Sequence, residues 1–313
     1  MRIVFLGTSS FAASVLEYLF QEKISVVAVV TRPDRPFGRS QRVSSPPVKE
    51  CVQRLKPEIP LFQPEKASTP EFAEILAAFQ ADLFVVVAYG EILKKNILDL
   101  PKMGAINIHT SLLPKYRGAA PMQRCLMDGC AETGVSIMEM VLQMDAGDLI
   151  EVVKLPIPEE MTHGELEKKL CDLARPALTK VIEDFEKGRV KKTPQDPSLV
   201  TFAPKITPEE EQIHWNLPAK KIHNLVRALS PFPGAWCFVK IGEEKKRLKI
   251  KRARLITEKS GQPGELLSSG KEGLIVACGE QALHLLEVQL EGKKLLSSQE
   301  FLRGLHTLPS FQF

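Results

Sequence analysis

The sequence predicts an α/β fold: a Rossmann-like, mostly parallel sheet with a small C-terminal β-barrel. Three observations carry this. Through the first half, short runs rich in Val, Ile and Phe alternate with amphipathic segments, the pattern of a parallel sheet covered on both faces. Residues 192–208 then hold Pro194, Pro197, Pro204 and Pro208, a density that suits an extended linker with little helix or central strand. Beyond them, short alternating runs are broken by glycines.

The elements follow in order. Residues 1–6 read MRIVFL before Gly7 and a polar Thr-Ser-Ser, too short for the roughly 7–15-residue apolar core of a signal peptide, so a first strand is expected at 2–6. Further strands are expected at 25–30, 83–88 and 105–108, with helices at 11–21 and 70–79. Runs 135–140 and 149–153 extend the sheet, with the loop 141–148 between them. A long helix over 163–187, kinked or broken at Pro176, closes this part. The expected domains are therefore 1–189 and 207–313, joined by a linker at 190–206. In the second, a helix at 219–229 precedes strands at 235–241, 247–255, 273–277 and 282–289, which suggest an OB-like barrel.

With 313 residues, 44% of them apolar and 26% charged, the chain has the composition of a soluble globular protein large enough for two cores. The most apolar run, 83–89, ends at Gly90 and Glu91, far short of the ~20 residues needed to span a bilayer. Six scattered cysteines without a C-x-x-C pair read as reduced thiols of a cytoplasmic protein, and no metal is expected. The net charge of +4 is unevenly placed: residues 207–313 carry 16 Lys and Arg against 12 Asp and Glu, whereas residues 1–206 carry 26 of each. Within 240–254, KIGEEKKRLKIKRAR, eight basic residues stand against two acidic ones, a density suited to a polyanion or to a solvated hairpin.

In parallel sheets ligands sit beyond the carboxyl ends of strands, which directs attention to the segments after residues 6, 88 and 108 and to the loop before 149. The densest signal is Asn107-Ile108-His109-Thr110-Ser111-Leu112-Leu113-Pro114. In an extended segment Asn107 and His109 project to one side, so an amide and an imidazole converge. The loop Gln143-Met144-Asp145-Ala146-Gly147-Asp148 offers two carboxylates that are able to meet the imidazole, and its spacing leaves open which one does.

The string NIHTSLLPKYRGAAPMQ, followed by ETGVSIMEM and MDAGD, resembles the signature of the folate-dependent formyltransferases. The resemblance implies catalytic roles for Asn107, His109 and Asp145, and a folate segment at Ser111, Leu112, Leu113 and Pro114. Through the loop after the fourth strand it also implies a pterin pocket at Tyr89, Gly90, Glu91, Ile92 and Leu93. Three further segments resemble the branch of the family that acts on methionyl-tRNA: TRPDRPFGR at 31–39 with SPPVK at 45–49, FAPKI at 202–206, and RALSPFPGA at 227–235. The implied reaction moves the formyl group of 10-formyltetrahydrofolate to the amino group of initiator methionyl-tRNA. Arg35, Arg39 and Arg42 of the first loop and Lys245, Lys246 and Arg247 of the basic hairpin are the expected tRNA contacts, and a monomer is expected. Where many relatives carry a more uniformly basic loop, this chain reads Ser40-Gln41-Arg42.

The residues suit that chemistry. An α-amino group with a reference pKa near ~8 is partly neutral at pH 7 and can attack directly, while donors such as the Asn107 amide and His109 stabilise the charge developing on the carbonyl oxygen. Proton movement falls to His109 oriented by Asp145. Competing motifs are weaker. The Gly7-Thr8-Ser9-Ser10 turn has one glycine where a dinucleotide fingerprint asks for three, and there is no phosphate-binding P-loop or nucleophile elbow. A formyltransferase for a small amine such as an amino sugar nucleotide, and a non-catalytic RNA-binding protein on the same fold, remain the alternatives.

Overall fold

The computed structural model of the chain describes residues 1–37, 42–270 and 272–312, and of Phe37, Arg42 and Gln312 the backbone alone. The chain divides into two compact units that are interleaved in sequence: Met1–Gly118, Thr133–Leu155 and Glu167–Phe202 form one, and Ala119–Glu132, Pro156–Leu166 and Ala203–Phe313 the other.

The elements of the first 190 residues are β1 (Ile3–Gly7), α1 (Ser10–Gln21), β2 (Val26–Val30), β3 (Arg35–Phe37), β4 (Arg42–Ser44), α2 (Pro47–Leu55), β5 (Leu61–Phe62), α3 (Pro70–Ala77), β6 (Leu83–Val87), α4 (Lys95–Leu98), β7 (Ala105–His109), α5 (Pro121–Met127), β8 (Glu132–Glu139), β9 (Leu149–Pro156) and α6 (His163–Glu186). Seven of the strands form one sheet in the order β5-β2-β1-β6-β7-β8-β9. Its first five are parallel, and β8 is antiparallel to β7. Strands β1 and β6 are buried along their whole length, as a sheet covered on both faces requires, which is why their sequences are continuous apolar runs. Helix α1 starts where the Ser9 hydroxyl accepts the N–H of Ala12, and α3 where Thr69 accepts that of Phe72 with Pro70 behind it, both ordinary N-caps. Gly7 ends β1 because a Cβ there would lie 2.7 Å from the Phe5 ring and 2.8 Å from the Ala12 methyl.

Two expectations are corrected. Helix α6 continues from His163 to Glu186 with Pro176 inside it; the buried stripe Leu170, Ala174, Leu178, Val181 holds the turns together although proline removes one backbone donor. A β-hairpin, β3–β4, occupies part of the basic loop that the sequence left without secondary structure.

The second unit carries α7 (Ala219–Ala228), β10 (Ala235–Ile241), β11 (Glu244–Ile256), β12 (Leu266–Ser268), β13 (Leu274–Ala277), β14 (Ala282–Leu290), β15 (Leu296–Ser297), α8 (Ser298–Arg303) and β16 (Ser310–Gln312). The strands make a nearly closed, barrel-like antiparallel sheet in the order β12-β13-β14-β11-β10-β16, with β15 against β14. Trp215, Ile222, Val226, Leu248, Ile250, Val276, Leu283 and Leu285 fill its core, and Trp215 meets Phe311 edge-on at 5.4 Å. In β11 the buried positions run Leu248, Ile250 and then Ala253. An irregularity between Ile250 and Ala253 shifts the inward alternation by one residue, as a bulge does.

Among the described residues no helix is long and apolar enough to cross a membrane. All six cysteines are thiols, five buried and Cys130 partly exposed. Burial pushes the Cys51 thiol up to about 11 and those of Cys237 and Cys278 up to about 12, and only a thiolate reacts readily. A thiol-selective reagent at pH 8 is expected to modify Cys130 first, with the rest reacting only after denaturation. Peptide mass mapping checks this, and early modification of Cys237 would show that the barrel opens in the native state.

Candidate active site

The site grows from the end of β7. Its neighbours fix its place: Asn107 lies opposite Val86 of β6 and opposite Met138 of β8, and His109 opposite Ser136. The carboxyl ends of β1 and β6 lie alongside, with Gly7 beside Val87. Because β8 is antiparallel and Glu139 pairs with Ile106, the loop after it leaves from the opposite end of β7. It folds back along the strand and brings Asp145 to His109.

The two side chains meet at 3.4 Å, Asp145 Oδ2 to His109 Nε2, with both largely shielded from solvent. Between the two carboxylates the sequence left open, Asp145 is thus the one in contact. On the other side of the ring, His109 Nδ1 is 3.0 Å from Ser111 Oγ. Ser111 donates its own proton to the Lys115 carbonyl at 2.7 Å, so its oxygen accepts from Nδ1–H. That assignment leaves Nε2 as the ring nitrogen that faces Asp145.

Asp145 is gripped from several directions. Its Oδ2 accepts the Gly118 N–H at 2.8 Å, and its backbone lies in the left-handed region at φ +51°, where Asp is tolerated better than most residues. Burial favours the protonated acid, but contact with His109, the Gly118 N–H and the charge of Arg117 outweigh it and hold the carboxyl below its ordinary value of 3.8. Gly147 lets the loop close, since a Cβ there would sit 1.9 Å from the Glu139 carbonyl.

The segment 111–114 is braced from within. Ser111 and Leu113 are buried, the Leu113 N–H donates to Ser136 Oγ at 3.1 Å, and Ser136 donates to the Ser111 carbonyl at 2.7 Å. Leu113–Pro114 is a cis peptide. The Asn107 carboxamide, half-buried, makes no hydrogen bond among the described residues, which leaves both its donor and its acceptor for a ligand.

After β6, Tyr89 and Leu93 turn into the hydrophobic core, and Glu91 accepts from Arg32 and from the Ala67 N–H. Ile92 is 75% exposed, and Gly90, at φ +85°, has open space where a Cβ would stand.

Of the basic residues singled out in the sequence, Arg35 pairs with Glu65, Arg39 lies outside the described residues, and Arg42 is described in its backbone within β4. In the barrel unit, Lys245 stands over the Phe238 ring at 4.3 Å and Arg247 over the Trp236 ring at 3.9 Å, while Lys246 pairs with Glu244. Sequence reasoning missed Ser111 as the partner of His109. It also missed Arg117 and Gln195, which bond to each other beside Asp145. Arg117 lay inside the quoted motif, whereas nothing marked Gln195 in its proline-rich stretch.

The comparisons with known proteins identify the family. Residues 1–182 match the family described as formyl transferase, and residues 205–306 match the formyl transferase C-terminal domain. The chain belongs to the formyltransferase family. Its relatives include the methionyl-tRNA formyltransferase of Protochlamydia amoebophila, 52% identical over 97% of this chain and 95% of that protein. That of Moorella thermoacetica is 44% identical over 99% and 98%. Among solved structures, HypX from Aquifex aeolicus in complex with tetrahydrofolic acid superposes with a TM-score of 0.65 at 19% identity, over all of this chain and 51% of its own. The sugar 3N-formyl transferase WlaRD does so with a TM-score of 0.65 at 18% identity, over 94% and 99%. These likenesses establish the shared fold, and this chain spans about half the length of HypX.

A folded pKa below 3.8 means that the Asp145 carboxylate contributes stability that is fully present above the unfolded pKa and is lost as pH falls through the depressed value. Asp145→Asn is therefore expected to flatten the fall of melting temperature below about pH 4. Calorimetry across pH 2–7 checks this, and an unchanged slope would show that the carboxylate is not held by its neighbours.

Proposed function

We propose that this chain transfers the formyl group of 10-formyltetrahydrofolate to the α-amino group of initiator methionyl-tRNA, with Asn107, His109 and Asp145 at the reacting atoms. The convergence of the unpartnered Asn107 amide with the His109–Asp145 pair, at the carboxyl end of the sheet in a chain whose relatives include named methionyl-tRNA formyltransferases, carries this reading.

Asn107, and His109 while its Nε2 carries a proton, donate to the oxygen on which negative charge develops when the amine adds to the formyl carbon, each contributing on the order of 3 kcal/mol at the transition state. His109 Nε2 moves the proton between the attacking nitrogen and the departing folate nitrogen, with Asp145 opposite it and Ser111 fixing the tautomer. No covalent intermediate on the protein is required. Folate is held by the backbone of 89–92 and of the braced segment 111–114. Three features support that placement: the open space at Gly90, the exposed Ile92 and the inward-turned Ser111 and Leu113.

Residues 1–189 serve catalysis, though 119–132 and 156–166 group with the second unit; 190–206 link, with their first part, through Phe202, grouped with the catalytic unit; and 207–313 bind tRNA. Support for the last comes from β10 and β11, whose cross-strand pairs Trp236–Lys249, Phe238–Arg247 and Lys240–Lys245 line one face with aromatic rings and cations. Such a face suits a polyanion bearing stackable bases. In the loop around the β3–β4 hairpin, Arg35, Arg39 and Arg42 add phosphate contacts. The enzyme works as a cytoplasmic monomer without metal.

The deciding assay is transfer of labelled formyl to charged initiator tRNA, with charged elongator tRNA and free methionine alongside. Transfer to the initiator alone is expected, with Asn107→Ala lowering kcat about 100-fold or more. Folate binding without transfer to any of the three would replace this reading with a small-amine acceptor such as an amino sugar nucleotide. A separate binding titration tests the barrel. Arg247→Ala is expected to weaken tRNA binding and lower the slope of log K against log salt by about 1, and an unchanged slope would remove Arg247 from the RNA contacts.

A further inference from the structure

The Asp145 turn is held at its backbone by a residue fifty positions away. Gln195 Nε2 donates to the Asp145 carbonyl at 2.9 Å and to the Gly147 carbonyl at 2.7 Å, so its two amide protons clasp both ends of the turn. Its Oε1 accepts from Arg117 Nε at 3.2 Å and Nη2 at 2.7 Å. Arg117 is itself buried, and the next residue, Gly118, gives its N–H to the Asp145 carboxylate. The contacts form a closed ring: Arg117 to Gln195, Gln195 to the Asp145 backbone, the Asp145 side chain back to Gly118. Gln195 is well placed to close it, because two residues earlier Thr193 exchanges both backbone hydrogen bonds with Leu149 at 2.8 Å.

We infer that Gln195 is a positioning residue: through Arg117 and the two carbonyls it fixes the left-handed Asp145 turn so that the carboxylate faces His109 Nε2. This rests on the proposed role of the His109–Asp145 pair. A primary amide meets the need for two donors and one acceptor in a single planar group. A glutamate of the same size keeps the acceptor toward Arg117 but sets oxygen against two carbonyl oxygens. Since Asp145 carries a positive φ, the turn has a reason to relax once the clasp is gone.

The test compares Gln195→Ala, Gln195→Glu, Asp145→Asn and the double variant Gln195→Ala/Asp145→Asn in steady-state formyl transfer, with melting curves to confirm folding. Both Gln195 variants are expected to lose about 100-fold in kcat, the order that a displacement of about 1 Å costs a catalytic group, with KM for either substrate changed no more than about twofold. The double variant is expected to fall no further than Asp145→Asn, because the clasp acts only through that carboxylate. Losses that multiply in the double variant, or a Gln195→Glu chain with the parent kcat, would overturn the assignment while leaving the role of Asp145 intact. An Asp145→Asn chain with full activity would instead overturn the reading of the pair, and the clasp with it.

Discussion

The contact between Asp145 and His109 spans 3.4 Å, and much of the surrounding structure serves to hold those two groups at that separation. The ring is set by β7, whose pairing with β8 places Ser136 opposite His109. Ser136 ties the Ser111 carbonyl to the Leu113 N–H, and Ser111 in turn accepts from the imidazole. The carboxylate is set by a loop that glycine alone can close at position 147 and that accepts N–H groups from Gly118 and Gln195. The geometry is held by hydrogen bonds from backbone, amide and guanidinium donors around the turn.

The parallel half of the sheet was legible because burial on both faces forces continuous apolar runs: the strands expected at 2–6, 25–30, 83–88 and 105–108 appear at 3–7, 26–30, 83–87 and 105–109. The direction of β8 was not legible, since a buried apolar run reads the same either way. Neither was the continuity of α6, where packing of one buried stripe prevails over the local cost of Pro176. At the site, Asn107, His109 and Asp145 stood out as polar residues in motif positions. Ser111 lay in the same string but was assigned to folate, and its bond to His109 is a matter of side-chain direction that spacing does not encode. Gln195 left no signal because the groups it holds at the Asp145 turn are backbone carbonyls, which every residue carries.

Charge counts do not show which cations are paired. Arg32, Arg35 and Lys49 of the basic loop each face a carboxylate, those of Glu91, Glu65 and Asp34. The Arg35–Glu65 pair is largely exposed on both sides, and such pairs contribute about 0–1 kcal/mol. A phosphate oxygen competes with it easily. In the barrel, by contrast, Lys245 and Arg247 lie over aromatic rings, which orient the cations without neutralising them.

The interleaving of the two units has a consequence for how the chain is made. Residues 119–132 and 156–166 leave the ribosome well before Ala203, yet they belong to the unit that begins there. Arg227 and Asn224 of α7 bond to the Leu126 and Met127 carbonyls at the end of α5, so that short helix waits about a hundred residues for its partners. Synthesis at about 5–20 residues per second makes this a delay of some seconds, during which the α7 side of that contact does not yet exist. The nascent chain therefore passes through a stage in which both inserts are made while their partners in α7 and the barrel are not, the stage at which a chaperone would find apolar surface to hold.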